Sequence, residues 1–488
     1  VSIHWPILRR LASRPLAVAC IDDRKSYRSI EILVAATNLA ADLEARCHSR
    51  TVGILCPTSA ATPIVALACW MIGKVAVPMN YLLSKGELQA IIDDCQTDTI
   101  VAVGPMLDFM GFTPRVKNLL KLETLDLGRA PLPFIPASAE DQDLGVLLYT
   151  SGTSGRPKGV MLSHGNIGAN IRQCVRAVHL NKKTDVIFGV LPQFHSFGLT
   201  VLSLFPLAAG IKVVFTARFV PHKIIKSFRE HRPTFFVAIP SMYNALLNVK
   251  DATPDDFASI KFLVSGAEPL PDAVSSRFFE RFGRRISEGY GLTETSPGTN
   301  FCFPWDYRPH SVGKPLPELE QIIVDPATDH ILPTNADGEI RMRGPNVMQG
   351  YFNRPEETAA AFDARGFLRT GDIGRFDDHG HLYITGRLKE MMIVAGENVF
   401  PREIEDVLMA HPSVEAAGVT SVQDPTRGEL PIAFVQMREG QPFDQAVLMQ
   451  FCRDKLAGYK VPREVRCVEA LPRNPTGKVM RRELKALI

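Results

Sequence analysis

Tyr149-Thr150-Ser151-Gly152-Thr153-Ser154-Gly155-Arg156-Pro157-Lys158-Gly159-Val160 is the most informative stretch of this 488-residue chain. It packs three glycines, four aliphatic hydroxyls and two cations into a dozen residues, directly after the strand-like Val146-Leu147-Leu148. Glycines let backbone N–H groups turn toward an anion, and hydroxyls and cations complete such a cradle. A flexible surface linker seldom combines this density of hydroxyls, proline and cations, so the segment reads as a phosphate-binding loop. It is not a Walker A loop, because Lys158 is followed by Gly159 and not by Ser or Thr.

Outward from this loop the chain alternates helix and strand signals. Upstream, Ile32, Ala36, Leu39 and Leu43 recur at helical spacing, and the apolar run Val52-Gly53-Ile54-Leu55-Cys56 follows. A helical stretch over 63–72 leads into Val75-Ala76-Val77-Pro78, and another, with Leu88, Ile91 and Ile92 on one face, leads into Thr99-Ile100-Val101-Ala102-Val103. Downstream, strands are expected over 186–190, 213–215, 235–238 and 262–264. Such alternation predicts a largely parallel sheet covered on both faces. Between residues 311 and 350 the helical period fades and Gly, Pro and Asp punctuate short apolar runs, which predicts a β-rich subdomain. From about Lys389 the chain reads as a small α+β unit, with helices over 402–409 and 443–456.

Length fits two or more domains, and 45% hydrophobic with 22% charged residues is ordinary for a globular protein. A net charge of +3 without a dense Lys/Arg block argues against a nucleic-acid partner. The nine cysteines have no metal-ligand spacing, and their odd number does not suggest a disulfide framework; a reduced, cytoplasmic compartment is expected. The longest apolar stretches, 63–79 and 199–215, are broken by Lys74 and by Pro206 and Lys212. They fall short of the roughly 20 clean apolar residues of a membrane span, which leaves peripheral membrane contact open. Oligomeric state is not legible.

Further motifs follow the loop in order. They are Leu191-Pro192-Gln193-Phe194-His195-Ser196-Phe197-Gly198, Ser265-Gly266-Ala267-Glu268-Pro269, Glu288-Gly289-Tyr290-Gly291-Leu292-Thr293-Glu294-Thr295, Arg369-Thr370-Gly371-Asp372, Tyr383-Ile384-Thr385-Gly386-Arg387-Leu388-Lys389-Glu390, Val394-Ala395-Gly396-Glu397-Asn398 and Leu471-Pro472-Arg473-Asn474-Pro475-Thr476-Gly477-Lys478. In this order they resemble the adenylate-forming superfamily of acyl- and aryl-CoA synthetases, firefly luciferase and peptide-synthetase adenylation domains. The resemblance runs from Thr150 to Lys478, about two thirds of the chain.

The resemblance implies an α/β fold: a large domain over residues 1–387, made of α/β-layered subdomains and a β-rich one, and a small mobile α+β domain over 388–488. It implies ATP-dependent activation of a small-molecule carboxylic acid as acyl-AMP. ATP or AMP would be held by Thr150, Ser151, Gly152, Thr153, Ser154, Gly155 and Lys158, by Gly266, Ala267 and Glu268, by Gly289, Tyr290, Gly291 and Thr293, and by Asp372, Ile384 and Arg387. Glu294 would hold Mg²⁺ on the triphosphate and Lys478 would be the mobile catalytic lysine. His195, with Phe197, Leu199 and Gly291, would border the acyl pocket. Lys389 falls at the hinge, and Gly396 and Glu397 at a tunnel for the thiol arm.

His195 stands where amino-acid-activating relatives usually carry Asp, which disfavours an α-amino acid. The apolar residues after it favour a medium- or long-chain fatty acid, with an aryl acid as the alternative. No insertion is evident between residues 311 and 387, which favours coenzyme A over the phosphopantetheine of an acyl carrier protein. A P-loop NTPase or kinase would need motifs that are missing. A non-catalytic nucleotide binder should have lost Glu294 or Lys478, and both are present.

Overall fold

The structure is a computed structural model and describes residues 2–151, 157–394, 397–424, 428–473 and 479–488. Two large sheets dominate it, in keeping with α/β-layered subdomains. One has seven strands and is parallel from Asn118–Lys121 through Thr99–Ala102, Thr51–Leu55 and Val75–Pro78 to Leu144–Ser151. There it turns antiparallel onto Pro157–Ser163 and Gly350–Tyr351. The other has nine strands, parallel from Val18–Ile21 through Lys212–Phe215, Val186–Gly189, Phe235–Ala238 and Phe262–Ser265 to Ile286–Gly291. It ends antiparallel with Gly298–Phe301 and Lys314–Pro315.

The central strands are buried along their whole length, which is why they read as continuous apolar runs instead of alternating ones. Helix Ser29–Arg46 turns Ile32, Ala36, Leu39 and Leu43 into the core between the sheets. Helix Lys85–Cys95 begins with a reciprocal Ser84/Glu87 capping box, which satisfies backbone donors that the first turn leaves unpaired.

One element escaped the sequence pattern. Residues Phe197–Leu204 form a π-helical segment running into helix Phe205–Ala209. Leu199 is fully buried in the core there, while Phe197, two residues earlier and so on another side of the helix, is only partly buried.

The β-rich region is an antiparallel sheet in the order Glu320–Val324, Gly338–Arg343, Leu368–Phe376, Leu382–Arg387. Beyond it a further sheet joins Glu397–Val399, Met392–Val394, Gly428–Met437 and Val414–Asp424, with Glu464–Cys467 parallel to Gly428–Met437. Helices Pro401–Met409 and Gln445–Lys455 cover it, and Ile404, Leu408, Val419, Val435, Leu448 and Val465 form a core of its own. Arg402 reaches back and donates to the carbonyl of Ile384 at 2.6 Å. All nine cysteines are free. No helix among the described residues is long and apolar enough to cross a membrane.

The β-rich sheet carries a buried ion cluster. Arg341, with no exposed surface, bonds Glu339 at 2.8 Å, Asp363 at 3.0 Å and Asp329. The other oxygen of Glu339 accepts the N–H of Gly371 at 3.2 Å, fixing the Thr370-Gly371-Asp372 turn, where Gly371 has φ +68°. Removing one partner of such a cluster strands the rest as buried charge. We expect Arg341→Met to cost about 3–5 kcal/mol, read as a lowered urea midpoint; an unchanged midpoint would show that the cluster is well hydrated.

Candidate active site

A cavity of about 750 Å³ opens where the ends of both large sheets meet the β-rich sheet. One side is built on Tyr290, Asp372 and Arg387. Strand Ile286–Gly291 delivers Tyr290, whose hydroxyl donates to Asp372 Oδ2 at 2.7 Å. The other oxygen of Asp372 pairs with Arg387 Nε at 3.0 Å, and Asp372 and Arg387 face each other on neighbouring strands. Burial, reinforced by the Asp372 carboxylate, pushes the Tyr290 phenol well above its ordinary value. The ring therefore stays a neutral donor and presents a flat face to the cavity. Ala267, Glu268, Gly289 and Gly291 line the cavity around it. Gly266 does not line it, but it leaves room for the Phe197 ring: a Cβ there would lie 2.9 Å from Phe197 Cε1.

A second side is polar. Thr150, Lys158, Thr293 and Glu294 line it. Strand Pro157–Ser163 brings in Lys158, which is paired with Glu357 and lies 5.3 Å from the Tyr351 ring centre. Tyr351 also donates to Glu294 Oε1 at 2.9 Å, and burial together with that carboxylate raises its phenol pKa. Phosphate hydroxyl and cation partners thus converge beside one oriented carboxylate. Among the described residues no cluster of three metal ligands exists. One carboxylate fits Mg²⁺ delivered on a triphosphate, since that ion takes most of its ligands from phosphate and water.

The third side is apolar: Leu191, Phe197, Ile239, Met242, Pro297 and Phe301. His195 stands at its edge, against Phe194 with ring centres 4.5 Å apart. Its Nε2 is buried and has no hydrogen-bond partner among the described residues. Burial holds its pKa down at about 4, so near neutral pH it is an uncharged imidazole facing the cavity with an unused nitrogen.

Several sequence expectations are placed elsewhere. Leu199 does not line the cavity, because it is fully buried in the core. Ile384 lines a separate cleft of about 580 Å³ between the β-rich sheet and helix Pro401–Met409. Glu397 is exposed and lines neither space. Lys389 does line the main cavity. Gly152, Thr153, Ser154, Gly155, Gly396 and Lys478, and the Ser151 side chain, lie outside the described residues. Sequence reasoning missed Tyr351, Met242, Ile239 and Phe301. Tyr351 could have been suspected from Gly350-Tyr351, an aromatic after a glycine in the β-rich stretch. The apolar three carry no local signal, since their neighbours in space come from distant strands.

A tyrosine–carboxylate–arginine wall, a polar side and an apolar side within one cavity are what an adenylate-forming ligase requires. Consistent with that, the family described as AMP-binding enzyme matches residues 8–352 and the AMP-binding enzyme C-terminal domain matches residues 403–478; the chain belongs to this family. It is 32% identical to a long-chain-fatty-acid–CoA ligase of Bacillus subtilis, over 93% of this chain and 89% of that protein. It is also 32% identical to a feruloyl-CoA synthase of an Amycolatopsis species, over 99% of this chain and 98% of that protein. The ATP-bound crystal structure of MatB from Rhodopseudomonas palustris superposes with a TM-score of 0.90 at 30% identity, covering 100% of this chain and 99% of that one. With these relatives the chain stands among AMP-forming acid–thiol ligases.

The depressed pKa of His195 has a consequence for stability. Below about pH 6.5 the unfolded chain binds a proton at this residue that the folded chain, at about 4, does not. Stability should therefore fall as pH drops through this window, by up to about 3 kcal/mol for this group. We expect His195→Asn to flatten the decline in unfolding free energy measured between pH 7 and 4.5. An equally steep decline in the variant would mean that the imidazole is hydrated in solution.

Proposed function

We propose that this chain converts an apolar monocarboxylic acid and ATP into acyl-AMP and pyrophosphate, and then transfers the acyl group to the thiol of coenzyme A. The observation that carries this is the continuity of one cavity from the Tyr290–Asp372–Arg387 cradle to the apolar wall of Phe197, Ile239, Met242 and Phe301. Of the three Lys or Arg side chains among its described lining residues, Lys158 and Arg387 are already engaged by Glu357 and Asp372. The apolar wall itself carries none, so a second carboxylate on the substrate would lie there without a partner. Beside His195 stand Phe194 and Phe197, and the imidazole is neutral, which supports an acid without an α-ammonium group.

In this reading the adenine stacks on Tyr290 and the ribose hydroxyls donate to Asp372, the acceptor type that two hydroxyls require. A carboxylate oxygen of the acid attacks the α-phosphorus, the bond to the bridging oxygen breaks, and pyrophosphate leaves. Positioning and charge neutralisation are what such a step needs from a protein. Thr150 and Lys158 serve the phosphates from the strand side. Glu294, held by Tyr351, would keep Mg²⁺ on the triphosphate, where the ion supplies charge neutralisation. Lys478 serves the α-phosphate and the attacking carboxylate. His195 borders the reacting carboxylate as a neutral hydrogen-bonding group.

The unit beyond Lys389 then turns about that residue, withdrawing Lys478 and bringing the loop of Gly396 and Glu397 to the cavity mouth. The thiol attacks the acyl carbonyl and AMP departs. Two steps share one site through a hinge, which the separate core of the C-terminal sheet makes mechanically feasible. An acyl carrier protein would bring the same thiol arm and is the competing acceptor.

Size bears on the acid. Cavities for small ligands span about 300–1,000 Å³, and this one of about 750 Å³ must seat a nucleotide as well. That supports a medium-chain fatty acid, or equally a single-ring aryl acid given the two phenylalanines of the wall.

Partial reactions test the assignment. We expect Lys478→Ala to lower acyl-AMP formation by about 10²-fold or more while thioester formation from supplied acyl-AMP stays within severalfold of wild type. Equal loss in both steps would contradict the hinge scheme. AMP release that coenzyme A fails to accelerate would move the acceptor to a carrier protein.

A further inference from the structure

One ring of the cavity's apolar lining, Phe301, sits against two glycines. Phe301 ends strand Gly298–Phe301 and lies opposite Gly289 on the neighbouring strand. It lines the cavity and is 7% exposed. A Cβ at Gly289 would stand 2.9 Å from Phe301 Cδ1, and one at Gly298 would stand 3.2 Å from Cε2. The first contact is closer than side chains make, so a side chain at Gly289 would push the ring from where it lies, and one at Gly298 would crowd it.

Behind Phe301 the surroundings change. Phe262 meets it edge-on at 6.5 Å and Phe303 is tilted against it at 6.2 Å. Phe303 stacks on Trp305 with ring centres 4.7 Å apart, and Trp305 stacks on His179 at 4.5 Å. Trp305 is 54% exposed. A column of rings therefore runs from the back of Phe301 to the protein surface, and none of Phe262, Phe303, Trp305 or His179 lines the cavity. Phe301 is the ring that faces both spaces.

We propose that Phe301 determines the substrate: its ring is the stop against which the far end of the acid packs, confining the enzyme to medium-chain and single-ring aryl acids and excluding long chains. This rests on the acid-activating function proposed above. The stop is set by rings that cannot recede, since the column behind holds Phe301 forward and the two glycines fix its edges. An acid that ends short of the ring leaves an unfilled apolar space, and one that overruns it must displace a packed phenyl group. Discrimination by a hydrophobic pocket amounts to about 10–200-fold per methylene misfit. Several surplus methylenes are therefore enough to exclude a hexadecyl chain.

The test compares wild type, Phe301→Ala, Phe301→Leu and Phe303→Leu by acid-dependent pyrophosphate release with butyrate, octanoate, cinnamate and palmitate. Wild type should favour octanoate or cinnamate over palmitate. Phe301→Ala should raise the palmitate-to-octanoate ratio of kcat/KM at least tenfold. Phe301→Leu, which keeps an apolar group of moderate size in the core, should shift it in the same direction and decides the matter if the alanine variant does not fold. Phe303→Leu, which takes a ring out of the column behind the stop, should shift the ratio in the same direction by less than Phe301→Ala. Folded Phe301 variants with the wild-type profile, or a wild type that takes palmitate as well as octanoate, would overturn the proposal. No release by wild type with any acid would instead overturn the function on which it rests.

Discussion

Everything in the site depends on the contact between Tyr290, Asp372 and Arg387. Tyr290 belongs to the nine-stranded sheet, while Asp372 and Arg387 belong to the β-rich sheet. The bonds of 2.7 Å and 3.0 Å tie the two sheets together at the cavity wall. A carboxylate buried there without Arg387 and the phenol would be costly. With them it is held in one orientation, and the flat face of Tyr290 is held with it. The Arg341 cluster extends this constraint away from the cavity, because Glu339 fixes the turn that carries Asp372. This wall of the cavity is thereby preorganised by charge pairs set on strands.

Around that fixed point the cavity divides its chemistry by the element that supplies each wall. Strand Pro157–Ser163 and the short strand Gly350–Tyr351 pair with each other and bring Lys158 and Tyr351 to the phosphate side. The π-helical segment and strand Gly298–Phe301 supply Phe197 and Phe301 to the acid side. A charged end and an apolar end in one space suit a reaction that joins a hydrophilic nucleotide to a hydrophobic acid. His195 sits between them, uncharged, so it adds a hydrogen-bonding nitrogen without placing a cation in the apolar end.

Much of this was legible in the sequence because motifs bind through backbone and local turns. Gly289-Tyr290-Gly291 and Thr370-Gly371-Asp372 are such segments, and both face the cavity as expected. Buried parallel strands announced themselves as apolar runs, although nothing in such a run tells which of the two large sheets it joins. The π-helical turn left no mark in the sequence, and Phe197 and Leu199 are apolar alike; two residues apart on a helix, one lines the cavity and the other is buried in the core. Phe301 escaped for a related reason. Its significance comes from Gly289, Gly298 and Phe262, which are assembled from three strands, and no window along the chain contains them together.

The central claim, that nucleotide and acid react within one cavity, is tested most directly by isotope exchange between labelled pyrophosphate and ATP in the absence of any thiol. The account requires exchange that depends on an added apolar monocarboxylic acid, and it requires Asp372→Asn to weaken that exchange mainly through KM for ATP. Exchange that proceeds without acid, or that is untouched by the Asp372 substitution, would contradict it.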